Sequence, residues 1–177
     1  MTITTPEMLL DRLEVAESIS ADRLHEMMDD PDWAVRIEVA KRLSADRLPE
    51  MMKDPRWQVR CVVARRIDPS RLPEMLLDSN VEVRFEVAQR IDLSRLPEMM
   101  KDPHWKVRLE VAERISADRL PEMMTDPDWV IRLEVAERIP RKYISGMLLR
   151  ETGPPQILET LKKRSQQLLT PGVLAVG

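Results

Sequence analysis

Glycine is scarce in this chain. Only Gly146, Gly153, Gly172 and Gly177 occur, all near the C-terminus. An all-β fold draws on glycine for its turns, so the body of the chain is expected to be helical. Cysteine is scarcer still: Cys61 stands alone, no internal disulfide can form, and a reducing, cytoplasmic setting is the expectation. No apolar run is long enough to span a bilayer. The opening Met-Thr-Ile-Thr-Thr-Pro-Glu has neither the basic nor the apolar part of a signal peptide. Histidine is limited to His25 and His104. They are three repeats apart, on the order of 30 Å at helix-packing distances, too far to share a metal or a proton relay.

The 177 residues are 43% apolar and 33% charged, the balance of a folded chain. Net charge is −3 but unevenly placed. Residues 140–177 hold six Lys/Arg against two Glu, a net of +4, which leaves −7 for residues 1–139. An acidic body argues against a general nucleic-acid sleeve, because phosphate contacts need local positive charge.

What the chain has in abundance is one unit repeated every 24 residues. Asp30, Asp54, Asp78, Asp102 and Asp126 begin successive copies. Trp33, Trp57, Trp105 and Trp129 follow at one position, with Val81 in the remaining copy. Arg36, Arg60, Arg84, Arg108 and Arg132 come next, then Ala40, Ala64, Ala88, Ala112 and Ala136. A partial first copy supplies Arg12, Val15, Ala16 and Ile19. Such a period marks a solenoid, in which each unit buries its apolar face against its neighbours.

Each unit reads as two helical pieces. The first, about Pro31 to Leu43, has Asp30 as N-cap and Pro31 at the first helical position. Val35, Val39 and Leu43 line one face at i, i+4, i+8. Glu38–Arg42, Glu86–Arg90, Glu110–Arg114 and Glu134–Arg138 are read as solvated i, i+4 pairs. The second piece, Ser44 to Lys53, has Pro49 in its middle. A proline there removes a hydrogen bond and clashes with the turn before it, so this piece is a short 3₁₀ segment and not a long α-helix. Leu48, Met51 and Met52 are its core residues. The copy at Asp78 has Ser79, Asn80 and Val81 instead of proline, a variable residue and tryptophan. It loses a pre-set helix start and a large apolar contact, and is expected to be a weak joint or a place where curvature changes.

The copies Asp-Pro-Asp-Trp-x-[Val/Ile]-Arg-x-Glu-Val-Ala-x-Arg-[Leu/Ile] at Asp30 and Asp126 resemble the leucine-rich repeat variant family, over roughly residues 8–149. The resemblance implies an alternation of α-helices and short 3₁₀ helices in a right-handed superhelix. Family members that it resembles carry a cysteine-rich iron–sulfur segment before the repeats and are associated with nitrogen-fixation gene sets. No such segment is present here, so the resemblance brings no cofactor with it. The expected fold is all-α, a right-handed α-solenoid of about six 24-residue repeats. The repeat array covers 1–153, a C-terminal capping helix covers 154–169 with Ile157, Leu158, Leu161, Leu168 and Leu169 inward, and a tail covers 170–177.

Candidate sites follow from the columns. Each ladder arginine sits in the helix's apolar arc, where a charge must be paired. Asp30, Asp54, Asp78, Asp102 and Asp126 with Arg36, Arg60, Arg84, Arg108 and Arg132 are read as a ladder joining one repeat to the next, with a ligand-binding arginine row as the alternative. The tryptophans Trp33, Trp57, Trp105 and Trp129 either pack against the neighbouring repeat or form an aromatic strip for a partner. Arg23, Arg47, Arg71, Arg95 and Arg119 meet Glu26, Glu50, Glu74, Glu98 and Glu122 at i+3, a salt-bridged edge. Lys162, Lys163 and Arg164 are expected to face water on the outer side of the last helix, as a second candidate partner surface. Cys61 falls in an apolar column with Ile37, Phe85, Leu109 and Leu133 and reads as a buried thiol. No phosphate loop, zinc spacing or nucleophile elbow occurs. The expected function is a non-catalytic scaffold binding a protein partner. The alternatives are a nucleic-acid-binding HEAT-like protein and an accessory or maturation factor for a metalloenzyme.

Overall fold

In a computed structural model, residues 6–166 are described. The expected Leu168, Leu169 and the tail at 170–177 lie outside them. The α-helices are α1 (Pro6–Ser18), α2 (Trp33–Arg42), α3 (Trp57–Arg66), α4 (Val81–Arg90), α5 (Trp105–Arg114), α6 (Trp129–Arg138), α7 (Ile144–Leu148) and α8 (Pro155–Gln166). Short 3₁₀ helices join them at Leu24–Met27, Leu48–Met51, Pro69–Met75, Leu96–Met99, Leu120–Met123 and Arg141–Tyr143. Among the described residues there is no strand, and no helix is long and apolar enough to cross a membrane. Proline sits where the sequence demands. Pro49, Pro97 and Pro121 lie at the start of their 3₁₀ turns, where a missing N–H costs nothing.

The chain forms two compact units, residues 1–92 and 93–177. In the first, α1, α2, α3 and α4 pack in sequence, and each 3₁₀ segment lies on the helix that follows it. Ala16, Val35, Val39, Ala40, Val59, Val63, Ala64, Val83, Val87 and Ala88 are completely buried, with Leu24, Leu48 and Leu72 inserted from the 3₁₀ side. The alanine in every helix leaves room for the next helix to approach closely. In the second unit α6 packs on α5, and α8 packs on α6 and α7. Ile157 and Leu161 of α8 are fully buried. They cover the last repeat as an end cap must in a solenoid.

The helix starts differ from the sequence expectation. Asp30 is not the N-cap and Pro31 is not helical: α2 begins two residues later, capped by Asp32, whose side chain accepts from Ala34 N–H. Asp30 Oδ1 instead accepts Asp32 N–H at 2.8 Å, closing a turn around Pro31. The pattern recurs with Asp54, Asp78, Asp102 and Asp126 as acceptors. The cap therefore belongs to the variable column: Asp32, Asn80, His104 and Asp128 all cap their helices. The repeat at Asp78 consequently keeps its helix start through Asn80, which accepts Glu82 N–H at 2.8 Å. The proline it lacks lies outside the helix in every other copy. Arg56 of α3 occupies the cap position with no side-chain hydrogen bond to its helix.

That difference sets a test. Arg56→Asp should supply α3 with the cap that α2 and α6 already have, and raise stability by about 1 kcal/mol. Denaturant unfolding of the two proteins measures it; no gain would mean that the first turn of α3 is satisfied by water.

Candidate functional site

The arginine and aspartate columns are joined by ion pairs. In the first unit Arg36 Nε and Nη2 donate to Asp54 at 2.7 and 3.0 Å, and Arg60 donates likewise to Asp78 at 2.6 and 2.8 Å. Arg12 of the partial copy reaches Asp30 at 3.0 Å through Nε. In the second unit Arg108 binds Asp126 at 2.8 and 3.0 Å. Each guanidinium uses its third nitrogen on the backbone carbonyl of its own repeat's aspartate: Asp30, Asp54, Asp78, Asp102 and Asp126 accept from Arg36, Arg60, Arg84, Arg108 and Arg132 at 2.7–2.9 Å. One side chain thus ties the loop of its own repeat to the loop of the next. Hydrogen bonding to the carboxylate raises the pKa values of Arg36, Arg60 and Arg108 against the opposing effect of burial. The bidentate fork explains why arginine is used and not lysine.

The last rung of the ladder has no aspartate. Counting 24 from Asp126 reaches Arg150, and the acceptor is Glu151 one residue on. Arg132 donates to it at 3.0 and 3.1 Å, and Gly153 N–H donates at 2.6 Å. Burial alone would raise the Glu151 pKa, but the bonds from Arg132, Gly153 and Thr152 outweigh it and the carboxyl is lowered. A Cβ at Gly153 would lie 2.5 Å from both Arg132 Nη2 and Glu151 Oε1, so a side chain there would have to displace the ends of this ion pair.

A second set of arginines has a role that the i, i+4 reading missed. Arg42 and Arg90 do not pair with the glutamate four residues earlier as expected, Arg138 keeps its pair with Glu134 but has a further role, and Arg66, which has Val62 at that position, shares that role. Each reaches back to the end of the preceding helix. Arg42 donates to the carbonyls of Ala16 and Ile19, Arg66 to Ala40 and Leu43, Arg90 to Ala64 and Ile67, Arg138 to Ala112 and Ile115. These carbonyls have no partner within their own helix, and the negative end of the helix dipole favours a cation there. Two of the glutamates find other partners, Glu38 with Lys41 and Glu86 with Arg65, while Glu134 and Arg138 form the expected i, i+4 ion pair at 3.6 Å. A donor every 24 residues facing a helix C-terminus is legible only once the order of packing is known.

The other predicted residues divide. Arg164 is not in water: it donates to Ala136 and Ile139 carbonyls at 2.7 and 2.8 Å, repeating for α8 what Arg138 does for α6. Lys162 and Lys163 are exposed. The four tryptophans are only partly packed, with Trp33 and Trp57 38% exposed and Trp105 and Trp129 45% exposed. His104 stacks beside Trp105, ring centroids 6.0 Å apart. Arg23, Arg47, Arg71, Arg95 and Arg119 do bind Glu26, Glu50, Glu74, Glu98 and Glu122 on an exposed edge. Cys61 is buried, and burial pushes its thiol up to about 11, so it stays protonated near neutral pH.

The chain is similar to a solved structure described as a leucine-rich repeat variant with a novel repetitive protein structural motif. The TM-score is 0.83 and the identity 34%, over 90% of this chain and 66% of that one. The family model for the leucine rich repeat variant matches residues 105–128. No curated protein matches the chain.

Two outcomes are expected. Arg108→Met should destabilise the protein by about 3–5 kcal/mol, because Asp126 is left charged and buried without its partner; a melt unchanged within error would place the pair in water. Glu151 is lowered on folding, so its stabilisation is present above the ordinary glutamate range and is lost as pH falls through the lowered value. Glu151→Gln should lower stability at neutral pH and flatten the acid limb of a stability–pH curve; parallel curves for the two proteins would exclude the linkage.

Proposed function

We propose that this chain, which belongs to the leucine-rich repeat variant family, is a non-catalytic scaffold that holds a partner protein through the tryptophan-bearing starts of its helices. The observation that carries this reading is the exposure of Trp33, Trp57, Trp105 and Trp129, each at the first residue of its helix and each 38–45% open. A tryptophan is a costly residue to leave in water, and its rigid, amphipathic ring is favoured at binding hot spots. Pro31, Pro55, Pro103 and Pro127 stand two residues before these rings and add rigid apolar surface at little entropic cost. The arginines of the ladder, the other common hot-spot residue type, are committed elsewhere. They hold neighbouring repeats together, and a ligand could take them only by breaking buried ion pairs.

Capture experiments with purified protein and a lysate of its host, read by mass spectrometry, test the proposal. A partner held by the wild type should be lost from a Trp105→Ser, Trp129→Ser double variant, since each hot-spot truncation costs about 2 kcal/mol or more of binding. The variant should keep its helical signal. Undiminished capture by a folded variant would move the binding surface elsewhere.

A further inference from the structure

Between neighbouring rungs of the ladder the surface opens into a depression lined by the rung's arginine and by methionines. In the first unit one lies at Arg36, about 350 Å³, with Asp29, Glu50 and Lys53 among its lining residues. In the second unit one of about 360 Å³ lies at Arg108, with Lys101 and Glu122. Another, about 380 Å³, lies at Arg132.

The depression at Arg132 differs from the other two in charge. Only two carboxylates line it, and both are engaged: Asp126 accepts from Arg108 and from Asp128 N–H, and Glu151 accepts from Arg132 and Gly153 N–H. The remaining charged group is Arg150, which is exposed. The exposed residues Thr125 and Thr152 add two hydroxyls, and Met124 and Met147 line the apolar part. The repeat pattern accounts for this chemistry. Because Glu151 accepts the last rung, the place of the ladder aspartate is released to Arg150, and an acidic position has become a basic one. The residues that follow the repeats are basic as well. Arg141, Lys142, Lys162 and Lys163 are exposed, against Glu159 as the exposed acid among residues 140–166.

We infer that this depression anchors a carboxylate side chain from an acidic segment of a partner protein. Arg150 supplies the charged donor, which binds a carboxylate more strongly than a neutral donor would. Thr125 and Thr152 supply further donors. Met124, whose thioether adapts to irregular shapes, contacts the methylene stem of a glutamate, with the buried Met147 behind it. The excess of exposed basic side chains among residues 140–166 raises the rate of encounter with an acidic chain. The inference rests on the scaffold reading above only in taking the occupant to be a protein segment.

The test uses the full chain and a fluorescein-labelled peptide of alternating glutamate and alanine, followed by anisotropy at low ionic strength. Saturable binding is expected, and the same peptide with glutamine for glutamate should not bind. Arg150→Ala should weaken binding about tenfold, the value of one charge-assisted contact. Lys53→Ala, which alters the depression at Arg36, should leave the affinity unchanged. Equal affinity of wild type and Arg150→Ala, with matching melting curves, overturns the inference, as does equal binding of the glutamine peptide. If the glutamate peptide fails while tryptophan-dependent capture of a partner persists, the anchor is wrong and the scaffold reading stands.

Discussion

A buried guanidinium must be matched, and in this fold the match is always supplied from outside its own helix. Arg36, Arg60 and Arg108 each take a carboxylate from the next repeat and a carbonyl from their own loop. The same carboxylate closes the turn that leads into its helix. Three requirements therefore meet at one aspartate: turn geometry, charge neutralisation and attachment of neighbours. Loss of the aspartate would strand a cation in a low-dielectric site and open a turn at the same time. Apolar burial by valine, alanine and leucine provides the driving force for stacking, but it is tolerant of sliding. Within each unit the bidentate ion pair fixes how far one repeat is turned against the next.

The helix C-termini are governed by a parallel logic. Each helix in these arrays is short, ten residues in α2 to α6, so a large share of its backbone groups are terminal and lack intrahelical partners. Asx-type turns and caps serve the N-terminal donors. The arginines at the ends of α2, α3, α4 and α6 serve the C-terminal acceptors of the helix before, and Arg164 in α8 serves those of α6. Short helices without glycine C-caps become possible because the neighbour supplies the cap. The chain's poverty in glycine and the arginine at the end of each helix are two aspects of one solution.

Much of this was legible in the sequence. The 24-residue period, the 3₁₀ reading forced by Pro49, Pro97 and Pro121, and the burial of Leu48, Met51 and Cys61 follow from local rules that act along the chain. The helix start was misplaced by two residues because Asp30 and Asp32 are both good caps. Asp-Pro is a strong start signal by itself, and the competing claim on Asp30 from Arg12 is not a local matter. Arg42 was misassigned for the same reason: the i, i+4 glutamate is visible in sequence, and the carbonyls of Ala16 and Ile19 are not. Glu151 escaped notice because it lies one residue off the period, and Arg132 reaches a longer side chain across the shift.

Within each unit the rungs at Arg36, Arg60 and Arg108 have a donor on one repeat and an acceptor on the next, and the two are carried by the same 24-residue word. Any copy can therefore follow any other without loss of complementarity. A gene encoding such an array can gain or lose whole copies by recombination between its own repeats, and each product would meet the same rules at every new junction. The end is different. Glu151 and Gly153 form a terminator that accepts the last arginine and turns the chain toward α8, and it occurs once. Array length is thus free to drift in evolution, while the closing segment must be inherited intact.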